Sequence, residues 1–407
     1  MEKFTGSFGG LFLSKILVTD SQMRNSLSII RSLGKKGFEI TAADETKFST
    51  GMYSKYCSKK LVYPSPKNAD QFVDFLLKVV KENKYEVIFS VTDATVIPIV
   101  KNKKLFSKYT IVPFADYKIL SKAIDKAQTL KVAIENNIPC PSTYFVEDPN
   151  ELDEIKMDLK YPLIIKPRIS FGSRGIVMCN SPEHLKSRYL RIFNEFGPSL
   201  IQEYIPKGDE LGVYTLFNFD SEPRAVSVQR RIRSYPISGG PSTLRETVHN
   251  QELVEVAFKL LKALNWVGVA MVEFRVDSRD NVPKLMEVNP RFWGSLELSV
   301  FSGVDFPYLL YKLVTEGDVE PCMDYKSGIK CRWLLPGDIL WYLNSPSKLK
   351  NLPEFLDFNT HFDILSLEDP GPVFGFVLAA GRYMFDRNMW KFILRKPIES
   401  RTVCMQK

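Results

Sequence analysis

One segment constrains the chain more than any other: Gly268 to Asn289 reads as a β-hairpin with two carboxylates, Glu273 and Glu287, fourteen residues apart. From Gly268 to Asp277, Met271, Glu273, Arg275 and Asp277 alternate with Ala270, Val272, Phe274 and Val276, so a side-chain period of two separates a polar face from an apolar one. A turn over Ser278 to Pro283 follows, and Lys284 to Asn289 returns with Leu285, Glu287 and Asn289 on one face. If the turn centres near Asp280, Glu273 and Glu287 stand directly opposite each other, with Cβ atoms about 4.5–5.5 Å apart. Like charges that close destabilise a sheet unless something positive lies between them. Mg2+ takes few protein carboxylates and completes an octahedral oxygen shell with nucleotide phosphates, so two acids and an amide suit it. The hairpin therefore predicts a magnesium–nucleotide site, against the plainer reading of a solvated charged face.

The rest of the chain bounds the setting. A length of 407 residues predicts two or three domains, and 44% hydrophobic residues suffice for a sizeable core. The net charge of +8 is modest; it suits anionic ligands such as nucleotides and argues only weakly for nucleic acid. Cysteines at 57, 140, 179, 322, 331 and 404 form no CxxC pair, and histidines 184, 249 and 361 are mutually distant, which predicts neither a zinc site nor a disulfide framework. The apolar stretch Phe8 to Leu13 is too short for a signal peptide, and no run approaches the roughly 18 apolar residues of a membrane helix. The expectation is a soluble cytoplasmic protein without nucleic-acid or membrane partners.

Along the chain, a strand at Ile16 to Thr19, a helical pattern through Leu27, Ile30 and Leu33, and a strand at Phe38 to Ala42 form a βαβ opening, hence a parallel sheet. A helix from about Ala69 to Asn83 and a strand at Glu86 to Val91 continue the alternation. Neither GxGxxG after the first strand nor GxxxxGK is present, which excludes a Rossmann fingerprint and a P-loop. Ligands of open α/β sheets lie beyond the carboxyl ends of strands, so Asp20, Arg24 and Asp93 are candidate substrate contacts; helix capping is the alternative for the two acids. Asp116 to Asn136 reads as one helix, and Leu211 to Phe219, Arg224 to Ile232 and Gln251 to Leu264 as two strands and a helix. Beyond Val319, prolines punctuate short helices and no motif is legible.

The run Met286-Glu287-Val288-Asn289-Pro290-Arg291-Phe292 resembles the metal motif of the ATP-grasp superfamily, carboxylate–amine ligase type, in its carbamoyl-phosphate-synthase-like form, and Glu273 falls where that family places its other acid. Further matches are ordered as that fold requires. Lys166, ending the apolar run Leu163 to Ile165, resembles the lysine that reaches the α- and β-phosphates, and Lys126 an additional basic phosphate contact. Gly172-Ser173-Arg174-Gly175 resembles the glycine-rich lid loop. Ile201 to Pro206 looks like the hinge, with Glu203 and the Tyr204 and Ile205 backbone at the adenine and Glu210 at the ribose. Glu273, Glu287 and Asn289 match the metal ligands, with Arg291 and Lys166 stabilising charge on the transferring group. Arg231, Arg233, Ser238, Gly239 and Gly240 lie in the region that shapes the acceptor site in relatives. Bicarbonate-using relatives often carry a His in that loop; this chain has none, which favours an organic carboxylate.

The resemblance covers about residues 15 to 315. It implies an α/β fold with a Rossmann-like pre-ATP-grasp domain (1–115), a linker helix and ATP-grasp lid (116–206), an ATP-grasp core (207–318) and a C-terminal extension (319–407). It implies ATP and Mg2+, two ions in number with Mn2+ as a substitute, and small-molecule carboxylate and amine substrates joined through an acyl phosphate with release of ADP. A homodimer is compatible with it. A bicarbonate, thiol or hydroxyl acceptor, or nucleotide binding without turnover, stays open at this point.

Overall fold

A computed structural model describes residues 14–155, 159–170, 172, 174–237 and 239–383. The stretch Phe8 to Leu13 and the site candidates Ser173 and Ser238 lie outside the described residues.

Three sheets build the molecule. The first is parallel, in the order β3-β2-β1-β4, from β1 (Lys15–Val18), β2 (Glu39–Asp44), β3 (Cys57–Val62) and β4 (Val87–Phe89). Ile16, Leu17 and Val18 are all fully buried, which is why β1 reads as an unbroken apolar run: helices cover both faces of a parallel sheet. The second sheet is antiparallel, β5-β8-β6-β7, from β5 (Thr143–Val146), β6 (Leu163–Pro167), β7 (Val177–Cys179) and β8 (Ser199–Glu203), and has a small core of its own around Ile165, Tyr189 and Ile201.

The third sheet has seven strands, in the order β13-β12-β9-β10-β11-β14-β15. It comprises β9 (Lys207–Phe217), β10 (Pro223–Ser234), β11 (Ser242–Thr247), β12 (Gly268–Asp277), β13 (Pro283–Asn289), β14 (Lys330–Arg332) and β15 (His361–Phe362). The helix Gln251–Ala263 packs its Leu253, Val254, Ala257, Leu260 and Leu261 stripe into the core it shares with β9, β10, β12 and β13. Its first turn is closed by the Asn250 side chain, which accepts from the Leu253 N–H at 2.9 Å.

One expectation is corrected. Asp116 to Asn136 is two helices, Tyr117–Ile124 and Lys126–Glu135, because Asp125 takes an extended conformation and caps the second by accepting from the Ala127 N–H. Among the described residues after 318, β14 pairs with β11 and β15 with β14, so this part of the chain adds two strands to the central sheet. No described helix is long and apolar enough to cross a membrane.

Candidate functional site

The hairpin delivers its carboxylates in register and then slips. β12 and β13 pair Met271 with Asn289, Val272 with Val288 and Glu273 with Glu287; the next pair is Phe274 with Leu285, so Met286 is an extra residue. This bulge corrects the expectation that Leu285 shares a face with Glu287, since Leu285 is fully buried in the core beside Phe274. A bulge re-aims the strand locally, and here the Met286 carbonyl accepts from Lys166 Nζ at 3.4 Å.

Asn289 Nδ2 bridges the two acids, donating to Glu273 Oε1 at 3.3 Å and Glu287 Oε1 at 3.2 Å. From the start of the helix Lys126–Glu135, Lys126 Nζ stands 3.6 Å from Glu287 Oε2 and donates to the Ser170 carbonyl at 2.9 Å. Burial, with the neighbouring Glu287 charge, pushes the Glu273 carboxyl up to about 7 against the pull of Arg231. Burial also acts on Glu287, but Lys126 and Lys166 outweigh it and hold that carboxyl below its ordinary value. Burial foremost, then Lys126, pushes the Lys166 ammonium down to about 8. Two acids and an amide make an all-oxygen donor set once the amide turns its Oδ1 inward, and no three His, Cys, Asp or Glu side chains gather among the described residues. Such a partial set fits a Mg2+ ion that keeps water and phosphate in its shell.

Arg291 lies beside this set, its Nη2 2.9 Å from Asp93 Oδ2 and 3.4 Å from Asn289 Oδ1. Asp93 opens the helix Asp93–Lys101 after β4, so the N-terminal domain holds this arginine in place. Arg231 joins the site too, Nη1 2.7 Å from Glu210 Oε2 and Nη2 3.6 Å from Glu273 Oε2. Glu210 also takes Arg275 Nη2 at 2.7 Å; these two arginines, with burial opposing them, hold its carboxyl below the ordinary range.

At the end of β8, Glu203 accepts from Arg279 Nη2 at 2.5 Å and from the Ser142 N–H at 3.3 Å. The Tyr204 N–H is committed to the Pro162 carbonyl at 3.3 Å, and the Ile205 side chain is buried. Gly172 and Gly175 have φ of +63° and +72°, the left-handed region that a side chain disfavours, and a Cβ at 175 would meet Pro167 Cγ at 2.6 Å.

Three of the acceptor-side candidates have partners of their own within the fold. Asp20 is buried, accepting from Thr95 Oγ1 at 2.6 Å, Thr19 Oγ1 at 2.9 Å, Thr92 Oγ1 at 3.0 Å and the Val91 N–H at 3.2 Å; it knits the end of β1 to the start of the helix Asp93–Lys101 that follows β4, which leaves it little for a substrate. Arg233 is claimed by Asp338 at 3.0 Å and Glu354 at 3.0 Å and stacks on Trp341, so it fastens the chain's last third to the sheet. The Gly239 N–H donates to the Pro236 carbonyl at 3.0 Å, and Gly240 packs against the Tyr235 backbone. Arg24 Nη1 donates to the Ser242 carbonyl at 3.2 Å and to Asp363 Oδ2 at 3.0 Å. Arg275, Arg279, Arg245 and Asp363 join these networks without any local motif to announce them.

The family described as "ATP-grasp in the biosynthetic pathway with Ter operon" matches residues 195–335. D-aspartate ligase of Enterococcus faecium is 22% identical over 290 residues, 66% of this chain and 68% of that protein. The carbamoyl phosphate synthase large chain of Pyrococcus furiosus is 22% identical over 289 residues, 64% of this chain; the match spans only 27% of that longer protein. Among solved structures, the biotin carboxylase domain of Hydrogenobacter thermophilus 2-oxoglutarate carboxylase, complexed with MgADP, ADP and bicarbonate, superposes with a TM-score of 0.65 at 16% identity, covering 78% of this chain and 73% of that one. The L-amino acid ligase of Bacillus licheniformis gives 0.58 at 16%, covering 76% and 77%.

Proposed function

We propose that the chain is an ATP-grasp enzyme, an ATP-dependent carboxylate–amine ligase that forms an amide through an acyl phosphate, a reading supported by the family match over residues 195–335 and by the likeness in fold. The observation that carries this reading is the cross-strand acid pair with Asn289 between its members, approached from the lid by two buried lysines. Carboxylate is a poor acyl electrophile, and phosphorylation gives it a leaving group. Mg2+, two ions with Mn2+ as a substitute, would supply positive charge that offsets the charge of the phosphates. Glu273, Glu287 and Asn289 hold the metal. Lys166 and Lys126 take the phosphates, with Lys166 ending β6 where an ammonium meets an anion without crossing the core. Gly172 and Gly175 let lid backbone N–H groups approach those phosphates, Tyr204 and Ile205 present hinge backbone to the adenine, and Glu203 sets the hinge. Glu210 takes the ribose hydroxyls by yielding part of its hold on Arg231 and Arg275.

In the reaction, a carboxylate oxygen attacks the γ-phosphorus in line and the bond to ADP breaks. The amine nitrogen then attacks the acyl carbon, phosphate leaves, and the nitrogen gives up a proton. Arg291, anchored by Asp93, stabilises charge on the phosphoryl group. Positioning and charge do the catalysis, and no covalent nucleophile is required. The test is ADP release across carboxylates and amines, singly and in pairs. Turnover that needs two organic partners is expected. Turnover with bicarbonate or a thiol or hydroxyl acceptor, or nucleotide binding without any turnover, overturns the ligase reading.

A further inference from the structure

The helix Gly371–Tyr383 is turned inside out. From Gly371 to Gly381 its sequence holds no charged or hydrogen-bonding side chain, and a helix that is apolar all round is normally buried all round. Here one face is buried, that of Pro372, Gly375 and Ala379 at helical spacing. A Cβ at Gly371 would collide with the Tyr53 carbonyl, and one at Gly375 would stand 2.7 Å from Tyr53 Cδ2 and 3.0 Å from the Ser49 carbonyl oxygen. The small residues thus let this helix lie tightly across the short helix Thr50–Tyr53. The large side chains are left outside: Phe374 is 58% and Val377 57% exposed, three residues apart on one face. Packing against the fold alone would reverse that arrangement, so the exposed face calls for a partner.

Its surroundings say which. The loop before Thr50 adds Phe48, 38% exposed, with Lys47 Nζ 5.3 Å from the centre of its ring. Phe374 meets Tyr53 edge-on at 5.5 Å between centroids, and Lys60 Nζ lies over the same Tyr53 ring at 4.2 Å. Neither lysine forms an ion pair with a described residue. Of the acids close in sequence, Glu368 is shared by Lys35 at 2.8 Å and Lys55 at 3.7 Å, and Glu45 stands two residues from Lys47, so the patch keeps a positive excess. The sequence that follows has the same chemistry: from 382 to 396, five Lys or Arg residues stand against Asp386 alone, among Phe385, Trp390 and Phe392. Aromatic and aliphatic side chains interleaved with basic ones match a surface of anionic headgroups over acyl chains.

We propose that this face is an interfacial anchor that lays the chain on an anionic lipid surface, with Phe374, Val377 and Phe48 below the headgroups and Lys47 and Lys60 among them. A second copy of the chain fits less well. A whole Phe accounts for about 150–250 Å², so three partly exposed side chains fall well short of the roughly 800 Å² that each partner of a stable interface buries. With 13 residues the helix lies on a bilayer and does not cross it, since a span takes about 20. The lack of a spanning run in the sequence therefore does not bear on this mode of attachment. None of these residues is among those proposed to hold nucleotide, metal or substrate, so attachment and ligation are tested apart.

The test is co-sedimentation of the full chain with vesicles of phosphatidylcholine alone and of phosphatidylcholine and phosphatidylglycerol in equal parts. Binding to the mixed vesicles is expected to be about tenfold or more tighter than to the neutral ones, and to weaken as salt is raised. Phe374→Asp and Val377→Asp are each expected to weaken it about tenfold, and the pair Lys47→Glu and Lys60→Glu to reduce the preference for anionic lipid, with ATP affinity unchanged in every variant. Val377→Asp spares the contact of Phe374 with Tyr53, which guards against a folding defect in the other variant. The proposal is overturned if the chain stays in solution with both vesicles, if it binds both equally, or if the lysine variant keeps the full preference. It is overturned as well if Phe374→Asp and Val377→Asp bind like wild type, since the basic sequence after 382 would then be the whole attachment. A dimer in sedimentation equilibrium without lipid that Val377→Asp dissociates also overturns it, because a second copy then covers the face.

Discussion

Two carboxylate clusters on the central sheet are built from the same residue types and end in opposite states. Asp363 is 1% exposed and lies between Arg24 and Arg245; those arginines, against the push of burial, hold its carboxyl below the ordinary range. Asp338 repeats the pattern with Arg233 and Arg332. In the hairpin, Glu273 and Glu287 are 25% and 34% exposed, face each other, and share Asn289; burial and Glu287 push Glu273 up to about 7. Where arginines outnumber the acid the charge is settled and the cluster fastens segments together. Where two acids face each other the cations are divided between them, Arg231 reaching Glu273 and Lys126 reaching Glu287, and a site able to take a metal ion results.

The comparison is sharpest in stability. Asp363→Ala leaves Arg24 and Arg245 buried with no shared partner, and breaking a buried pair on one side costs about 3–5 kcal/mol; urea unfolding measures it. A loss under about 1 kcal/mol would remove the distinction between the clusters. Glu287→Gln acts differently. It removes the like-charge contact with Glu273 together with the carboxylate that Lys126 and Lys166 face, so the unfolding midpoint is expected to fall by less than in Asp363→Ala, while ADP formation falls by about 10²-fold or more, the scale of losing one key electrostatic group. Near wild-type turnover at saturating Mg2+ would take Glu287 out of the site.

The same contrast explains what the sequence discloses. The acid pair is legible because period two and a short turn fix its register locally, and Glu273 and Glu287 pair as that pattern requires. The bulge at Met286 is not legible, because nothing in Leu-Met-Glu marks an extra residue, and the face of Leu285 is read wrongly for that reason. Asp363 finds Arg245 across 118 residues and Arg24 across 339, distances at which no motif operates. The strands that bring it there, β14 and β15, are three and two residues long, too short to show alternation. Asp20 misleads in the opposite sense. Its place after a strand of a parallel sheet suggests a ligand contact, yet the hydroxyls of Thr19, Thr92 and Thr95 turn it inward.

Lys166 tests the open cluster from the nucleotide side. Its side chain reaches the Met286 carbonyl, and burial, then Lys126, brings the ammonium down to about 8 from 10.5. If that ammonium bonds the α- and β-phosphates, Lys166→Ala weakens ATP and ADP binding by about 1.5–3 kcal/mol, the usual value of a hydrogen bond to a charged group, and AMP binding by less, since AMP lacks the β-phosphate. Equal losses for all three in calorimetry would sink the assignment. The pH dependence is the smaller and finer consequence. Below about pH 8 both folded and unfolded chains carry the proton and the cost of burying the charge is present in full. Between about 8 and 10.5 the unfolded chain binds more protons, so this group makes stability rise with pH across that window. ADP needs the charged form, so its affinity moves the opposite way, falling above about pH 8 by at most about tenfold per unit for one proton. Lys166→Arg keeps the charge throughout and is expected to flatten both slopes; parallel curves for the two proteins would show that another group titrates and that Lys166 does not hold the phosphates.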